Sequence, residues 1–282
     1  TTQRSARSCS SAQRVAGTSA RKPDSSANSM AGTAKARWPA ANRPTASTKS
    51  PSDTSSASII GAFSVPWKPY RLGSATISAW RAEPKGAPRG ALVVVQEIFG
   101  VNPHIRTVAE GFACEGYVVL APAYFDPVQT GVELDYDADG IARGKALITA
   151  LGLERALDIT RAAADALAGH GKIGTVGYCW GGTVALLAAL RLGLPSVSYY
   201  GARNLPFLDE TPRAPVMFHF GDRDASIPPA MVQAHRDALP QMEVFTYPAG
   251  HGFNCDLRAD YDPASARLAR ERTLDFFARN LA

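Results

Sequence analysis

The chain has 282 residues, of which 45% are hydrophobic and 20% are charged, and its mean hydropathy is −0.11. This balance provides enough apolar surface for a core of ordinary size, and no apolar run is long enough to span a membrane. The net charge of +5 is unevenly distributed, because residues 1–58 carry +7 and residues 59–282 carry −2. We therefore predict a soluble globular protein with no nucleic-acid or membrane partner.

Cysteine usage indicates the compartment. The four cysteines form no C-x-x-C pair and have no spacing to a histidine that is typical of a zinc site or a disulfide framework. We therefore predict no metal, no other cofactor and a reducing, cytoplasmic environment.

Residues 1–58 are rich in Ser, Ala, Thr and Arg and contain few large apolar side chains. Such a segment buries too little surface to offset the entropy of ordering, so we predict a disordered extension followed by one domain over residues 59–282. This composition is typical of an organelle transit peptide, and equally of translated upstream sequence that is not native. The sequence leaves both origins of the extension open.

Strands and helices alternate along the rest of the chain. Apolar segments at 91–95 and 117–121 flank a helical periodicity over 105–115, which together predict a β-α-β unit. The predicted elements that follow are helix 153–168, strand 173–177, helix 181–191, strands 196–200 and 215–220, helix 229–238, strand 243–247 and helix 264–279. This alternation predicts an α/β fold with a single doubly wound, mostly parallel sheet.

Cys179 lies in the sequence GYCWGG, between a predicted strand and a predicted helix. This is the context in which a nucleophile is held on a tight turn, and small residues are needed two positions to either side because the backbones approach closely there. The helix begins at the nucleophile, so its free N–H groups lie where a thiolate or an oxyanion forms. We therefore interpret Cys179 as a nucleophile.

A thiol nucleophile needs a base that is itself oriented by a third group. Cys179, an acid in the segment GDRD and His251 in AGHGF follow one another in the nucleophile–acid–histidine order of α/β-hydrolases. The spacing does not decide between Asp222 and Asp224. The other histidines are poorer candidates: we expect a polar helix face for His235, a helix end for His170, a strand interior for His219, and for His104 a loop position that could line the site.

Glu97 directly follows the first apolar strand and precedes the sequence IFG. A carboxylate among apolar neighbours is costly unless a donor satisfies it. Glu97 is therefore either a buried functional group or an exposed acid at the end of a strand.

Together these segments resemble the dienelactone hydrolases. The sequences QEIFGVN at 96–102, GYCWGG at 177–182, GDRDASIP at 221–228 and AGHGF at 249–253 occur in the order of that family, and the resemblance covers residues 62–281. It implies an α/β-hydrolase fold and a Cys179–His251–Asp224 triad that opens an enol-lactone, such as a carboxymethylenebutenolide, through an acyl-thioester. The resemblance thereby favours Asp224 over Asp222.

The resemblance also implies roles for groups around the triad. In the family, the glutamate after the first strand keeps the thiol protonated at rest and changes partner when substrate enters, a role that falls to Glu97. The backbone N–H groups of Ile98 and Trp180 would form the oxyanion hole, as the general geometry of the fold also predicts.

The sequence departs from the family where arginines hold the substrate carboxylate. Four residues after the histidine it has Cys255, which we expect to be exposed and which carries no positive charge. The other arginine corresponds loosely to Arg143, and Arg258 is available as a substitute. Selectivity for an acidic lactone therefore depends on these two arginines.

We predict a monomeric hydrolase that acts on a small lactone or ester substrate without a cofactor. A broader carboxylesterase or lactonase of the same fold is the first alternative. A catalytically silent binding module is a second, and the intact set of Glu97, Cys179, Asp224 and His251 argues against it. A redox-sensing thiol is a third, although Cys179 has no resolving cysteine beside it in the sequence.

Overall fold

A computed structural model describes residues 67–72 and 75–282, and the extension predicted over 1–58 lies outside these residues. The strands are β1 (Trp67–Leu72), β2 (Ala75–Ala82), β3 (Gly90–Val95), β4 (Tyr117–Pro122), β5 (Ile173–Tyr178), β6 (Ser196–Tyr199), β7 (Val216–Gly221) and β8 (Glu243–Tyr247). The helices are α1 (Pro103–Cys114), α2 (Ala138–Leu151), α3 (Leu153–Ala166), α4 (Trp180–Leu187), α5 (Pro229–Ala238) and α6 (Pro263–Leu281). A π turn extends α4 over Ala188–Leu192, and a short 3₁₀ helix covers Leu205–Phe207.

The eight strands form a single sheet in the order β1-β2-β4-β3-β5-β6-β7-β8. Strands β4, β3, β5, β6, β7 and β8 are parallel to one another, whereas β1 pairs antiparallel with β2 and β2 pairs antiparallel with β4. The predicted α/β fold with one mostly parallel sheet is confirmed. Within the described chain, no helix combines the length and the apolar character needed to cross a bilayer.

Side chains from successive residues of β3 enter two separate hydrophobic clusters. Leu92 and Val94 pack in a cluster with apolar residues of α1, α5 and α6, whereas Val93 and Val95 pack in another with residues of α2 and α3. All six residues of β3 are buried, as expected for a central strand of a parallel sheet that helices cover on both faces. This double layer explains why the strand is a continuous apolar run.

Strands β1 and β2 and helix α2 were not predicted from the sequence. Strand β2 buries Ile77, Ala79 and Ala82 but exposes Ala75, Thr76 and Ser78, so its apolar signal is short. Helix α2 contains Gly140 and Gly144, and glycine lowers helix propensity. Gly144 is nevertheless suited to its position, because a Cβ there would meet the carbonyl oxygen of Ile98.

The reactive residues predicted from the sequence all follow parallel strands. Glu97 comes after β3, Cys179 after β5, Asp224 after β7 and His251 after β8. The carboxyl ends of parallel strands meet at one edge of the sheet, so the topology brings together four groups that are distant along the chain.

Candidate active site

Cys179 occupies a tight turn between β5 and α4. Its φ of 55° and ψ of −116° are rare for a residue with a side chain, and the turn is held by a hydrogen bond from its amide to the carbonyl of Tyr199. A Cβ at Gly177 would clash with the carbonyl of Gly181, and a Cβ at Gly181 would lie 2.6 Å from the carbonyl oxygen of Val95. The prediction that small residues are required on both sides of the nucleophile is confirmed.

Cys179, His251 and Asp224 form a continuous hydrogen-bonded chain. The Nε2 atom of His251 lies 3.2 Å from the Sγ atom of Cys179, and its Nδ1 atom lies 2.7 Å from Oδ2 of Asp224. The other carboxylate oxygen of Asp224 accepts a hydrogen bond of 2.8 Å from the amide of Ser226, which fixes the carboxylate. Asp222 is instead exposed at the surface. Of the two acids that the sequence left open, Asp224 is therefore the one that contacts His251.

The environment of His251 favours its protonated form. Burial lowers the pKa of His251, but its hydrogen bonds with Asp224 and Cys179 and the negative charges of these two partners raise it to about 10. An imidazolium that donates from Nδ1 to Asp224 and from Nε2 to the sulfur is suited to stabilising a thiolate.

Glu97 is fully buried, which excludes the exposed strand-end position that the sequence left open. Its Oε2 atom accepts a hydrogen bond of 2.9 Å from the hydroxyl of Tyr136, and that hydroxyl accepts one of 2.9 Å from Nδ2 of Asn102. Its Oε1 atom lies 3.7 Å from Nη1 of Arg258. Among the hydrogen bonds of the described residues, that of the Cys179 thiol is with His251.

Tyr136 is a site residue that sequence reasoning missed. It lies in the loop before α2, and this loop is fixed by a β-bridge between Glu133 and Gly100 and by a hydrogen bond from Leu134 to the carbonyl of Phe99. Burial, followed by the charge of Glu97, raises the pKa of Tyr136 far above its usual value, so its hydroxyl remains a donor. A lone tyrosine in a loop carries no sequence signal for this role.

The two backbone amides predicted to bind an oxyanion lie on neighbouring backbones. Trp180 is the first residue of α4, where amides lack a partner within the helix, and Ile98 lies in the turn after Glu97. Neither amide donates to a backbone carbonyl within the described residues. The contact of Gly181 with the end of β3 places these two turns side by side.

The sequence pattern of the dienelactone hydrolase family matches residues 77–281 of the chain. The chain belongs to the dienelactone hydrolase family. It is therefore a hydrolase of the class that cleaves esters and lactones.

Relatives of known name agree with this membership. The chain is 33% identical over 216 residues to the carboxymethylenebutenolidase of Pseudomonas putida, an alignment that covers 72% of this chain and 91% of the relative. The structure of a Klebsiella pneumoniae protein described as a dienelactone hydrolase has a TM-score of 0.66 and 29% identity and covers 76% of this chain and 98% of its own. A dienelactone hydrolase-like promiscuous phosphotriesterase from metagenomic libraries, which is 22% identical with a TM-score of 0.64 over 77% of this chain and 98% of its own, shares the fold.

Arg143 and Arg258, the two arginines considered for substrate binding, and Cys255 occupy three different settings in this dienelactone hydrolase family member. Arg143 is exposed on α2, next to the glycine that contacts Ile98. Arg258 is largely buried against the backbone of Gly252 and beside Glu97. Cys255 is fully buried, so the expectation that it is exposed was wrong.

Two further expectations about histidines were wrong. His235 is fully buried, because its ring packs against Phe218 and Phe220 and hydrogen-bonds Asn204. His104 belongs to α1 and not to a loop, and its Nδ1 atom lies 3.2 Å from Oδ1 of Asp256. His219 lies in β7 and His170 lies beyond the end of α3, as expected.

We predict that Gly181→Ala destabilises the protein although alanine is normally the better helix former. The added Cβ meets backbone carbonyls that cannot rotate away, so the free energy of unfolding should fall by about 3 kcal/mol. Urea denaturation measures this change. Gly86→Ala is the matched control, because open space surrounds Gly86 and its variant should differ from the parent by less than about 0.5 kcal/mol. Equal stability of the two variants would contradict the close approach described here.

Proposed function

We propose that this protein opens a lactone of the dienelactone type by covalent catalysis at Cys179. The observation that supports this proposal best is the continuous chain from Asp224 through His251 to the sulfur, with separations of 2.7 and 3.2 Å. Nucleophile, base and orienting acid are in hydrogen-bonding reach before substrate arrives, which is the arrangement that covalent catalysis requires.

The reaction proceeds in two balanced steps. The thiolate of Cys179 attacks the lactone carbonyl, a C–S bond forms, and the ring C–O bond breaks as the leaving oxygen takes the proton of His251. Water then attacks the thioester while His251 accepts its proton, which releases the carboxylic acid and restores the thiolate. The amides of Ile98 and Trp180 stabilise the oxyanion in both steps.

Glu97 completes the proposed mechanism. Its contacts with Tyr136 and Arg258 define one position of the carboxylate. In this position the sulfur of Cys179 is hydrogen-bonded to His251. In a second position, rotated toward Cys179, the carboxylate would accept a hydrogen bond from the protonated thiol while no substrate is bound. Entry of substrate would transfer the thiol proton to Glu97, which would return to Tyr136 and Arg258 in its protonated form and leave the thiolate for attack. After the product leaves, Glu97 would give this proton back to the sulfur.

We predict that Cys179→Ala abolishes lactone hydrolysis, because the variant keeps the oxyanion hole but cannot form the thioester. Steady-state kcat for a carboxymethylenebutenolide is the measurement, supported by the mass of the intact protein mixed with substrate, in which an acyl adduct should be present only with Cys179. Cys114→Ala, at the exposed end of α1, is the control and should retain activity. More than about a tenth of the parent kcat in Cys179→Ala would exclude the covalent route.

We predict that Glu97→Gln lowers kcat at least about tenfold, because the amide cannot accept the thiol proton. The free energy of unfolding should change by no more than about 2 kcal/mol, since the amide oxygen still accepts from Tyr136 and Arg258 retains some contact with water.

The matched control for this variant is Glu133→Gln, which removes the charge of a half-exposed glutamate paired with Arg106 in the nearby loop. Its kcat should stay within about twofold of the parent, as is usual for surface ion pairs. If Glu97→Gln behaves like this control, Glu97 has no part in the mechanism.

A broader esterase or lactonase activity is the second candidate, and the buried, uncharged Cys255 favours it. Because Arg258 is paired with Glu97, Arg143 is the arginine left to bind a substrate carboxylate.

We predict that a lactone with a free carboxylate has a kcat/KM at least about tenfold above that of its methyl ester, and that Arg143→Gln removes this preference. Arg155→Gln, on α3, is the control. Equal kcat/KM for acid and ester would favour the broader esterase.

A further inference from the structure

A second group of reactive side chains lies outside the triad, beside Tyr136. His104, at the start of α1, meets Cys255 and Asp256, which lie in the loop that follows His251. One potential ligand atom from each of the three residues lies within 4.8 Å of the other two. The proposed reaction uses none of these side chains.

The three side chains differ in exposure in a way that suits ligand entry. The His104 side chain is only 4% exposed, and Cys255 is fully buried. The side chain of Asp256 is 58% exposed. The imidazole of His104 and the thiol of Cys255 therefore lie inside the protein, and the carboxylate of Asp256 lies at the surface, where an ion could enter from solvent.

We propose that His104, Cys255 and Asp256 bind a zinc-like divalent transition metal. An imidazole nitrogen, a thiolate sulfur and a carboxylate oxygen are the donors that Zn²⁺ prefers, whereas Mg²⁺ and Ca²⁺ prefer oxygen alone. With three protein ligands, a tetrahedral ion keeps its fourth position for water.

The geometry of the cluster is close to what such an ion needs. Nitrogen and oxygen ligands of tetrahedral zinc lie about 3.3 Å apart, as follows from bonds of about 2.0–2.1 Å. The Nδ1 atom of His104 and the Oδ1 atom of Asp256 are 3.2 Å apart. A sulfur ligand requires about 3.6 Å to each, so the cluster needs to contract by little more than 1 Å at most.

Charge also favours a cation at this place, because the carboxylate of Asp256 faces His104 and Cys255 can supply a second negative charge as a thiolate. Binding of the metal displaces the thiol proton of Cys255 to solvent, and the carboxylate and thiolate then balance the two charges of the ion. The bound metal would join α1 to the loop that carries His251, four residues before Cys255, and so fix the catalytic histidine.

Cobalt titration of the full chain tests this proposal without measuring turnover. After treatment with a chelator, Co²⁺ should bind at one ion per chain and produce the near-ultraviolet absorption of a thiolate–cobalt bond, and Zn²⁺ should displace it. Cys255→Ser should remove the absorption, and His104→Gln should weaken binding at least about tenfold. Asp256→Asn should also weaken binding. Because Asp256 is exposed, this variant is expected to fold even if the variants at the buried positions do not.

Two controls separate this site from other thiols. Cys114→Ser and Cys179→Ser should keep both the stoichiometry and the absorption. If the signal survives in Cys255→Ser and disappears in Cys179→Ser, the ion belongs to the catalytic thiol and the proposal is wrong. It is equally wrong if the parent chain binds no Co²⁺, or if Asp256→Asn and His104→Gln bind as tightly as the parent.

Discussion

The end of β3 approaches the first turn of α4 so closely that no side chain fits between them. Gly181 makes this contact possible, Gly177 does the same where the end of β5 meets Gly181, and three features of the site depend on these contacts. The backbone at Cys179 adopts a positive φ, and its sulfur lies 3.2 Å from Nε2 of His251. The free amide of Trp180 and the turn that contains Ile98 become neighbours. These backbone contacts thus position the nucleophile and both groups that would receive the oxyanion.

Around this contact the protein buries a carboxylate that it has to stabilise. Glu97 is held by a tyrosine from the loop before α2 and by an arginine from the loop after β8. Asn102 orients the tyrosine and also caps α1 through the amide of Ile105. The short segment from Glu97 to Asn102 therefore contains the buried acid, the residue that orients the tyrosine bound to it, and the N-cap of α1. Through α1 the polar network of the site contacts the hydrophobic core.

The sequence predicted the parts of the site that depend on local pattern. The strand runs, the glycines around Cys179 and the order of acid and histidine are local signals, and the sheet topology converts them into one site. The sequence did not predict the features that depend on contacts between segments distant along the chain. His235 is polar in sequence but is enclosed by Phe218 and Phe220. Tyr136 and His104 contact residues that are distant along the chain, so neither spacing nor periodicity predicted the role of Tyr136 or the proposed metal site.

The strand order gives the proposed catalytic groups unequal support. Cys179 follows β5, which has neighbours on both sides, whereas His251 follows β8, which among the described strands pairs only with β7. Residues of β8 are also less buried than those of the central strands. Edge elements open at lower free energy than the core. Fraying of this edge would separate His251 from Cys179 while the rest of the fold persists, so the arrangement that the proposed reaction needs has a smaller margin of stability than the folded state.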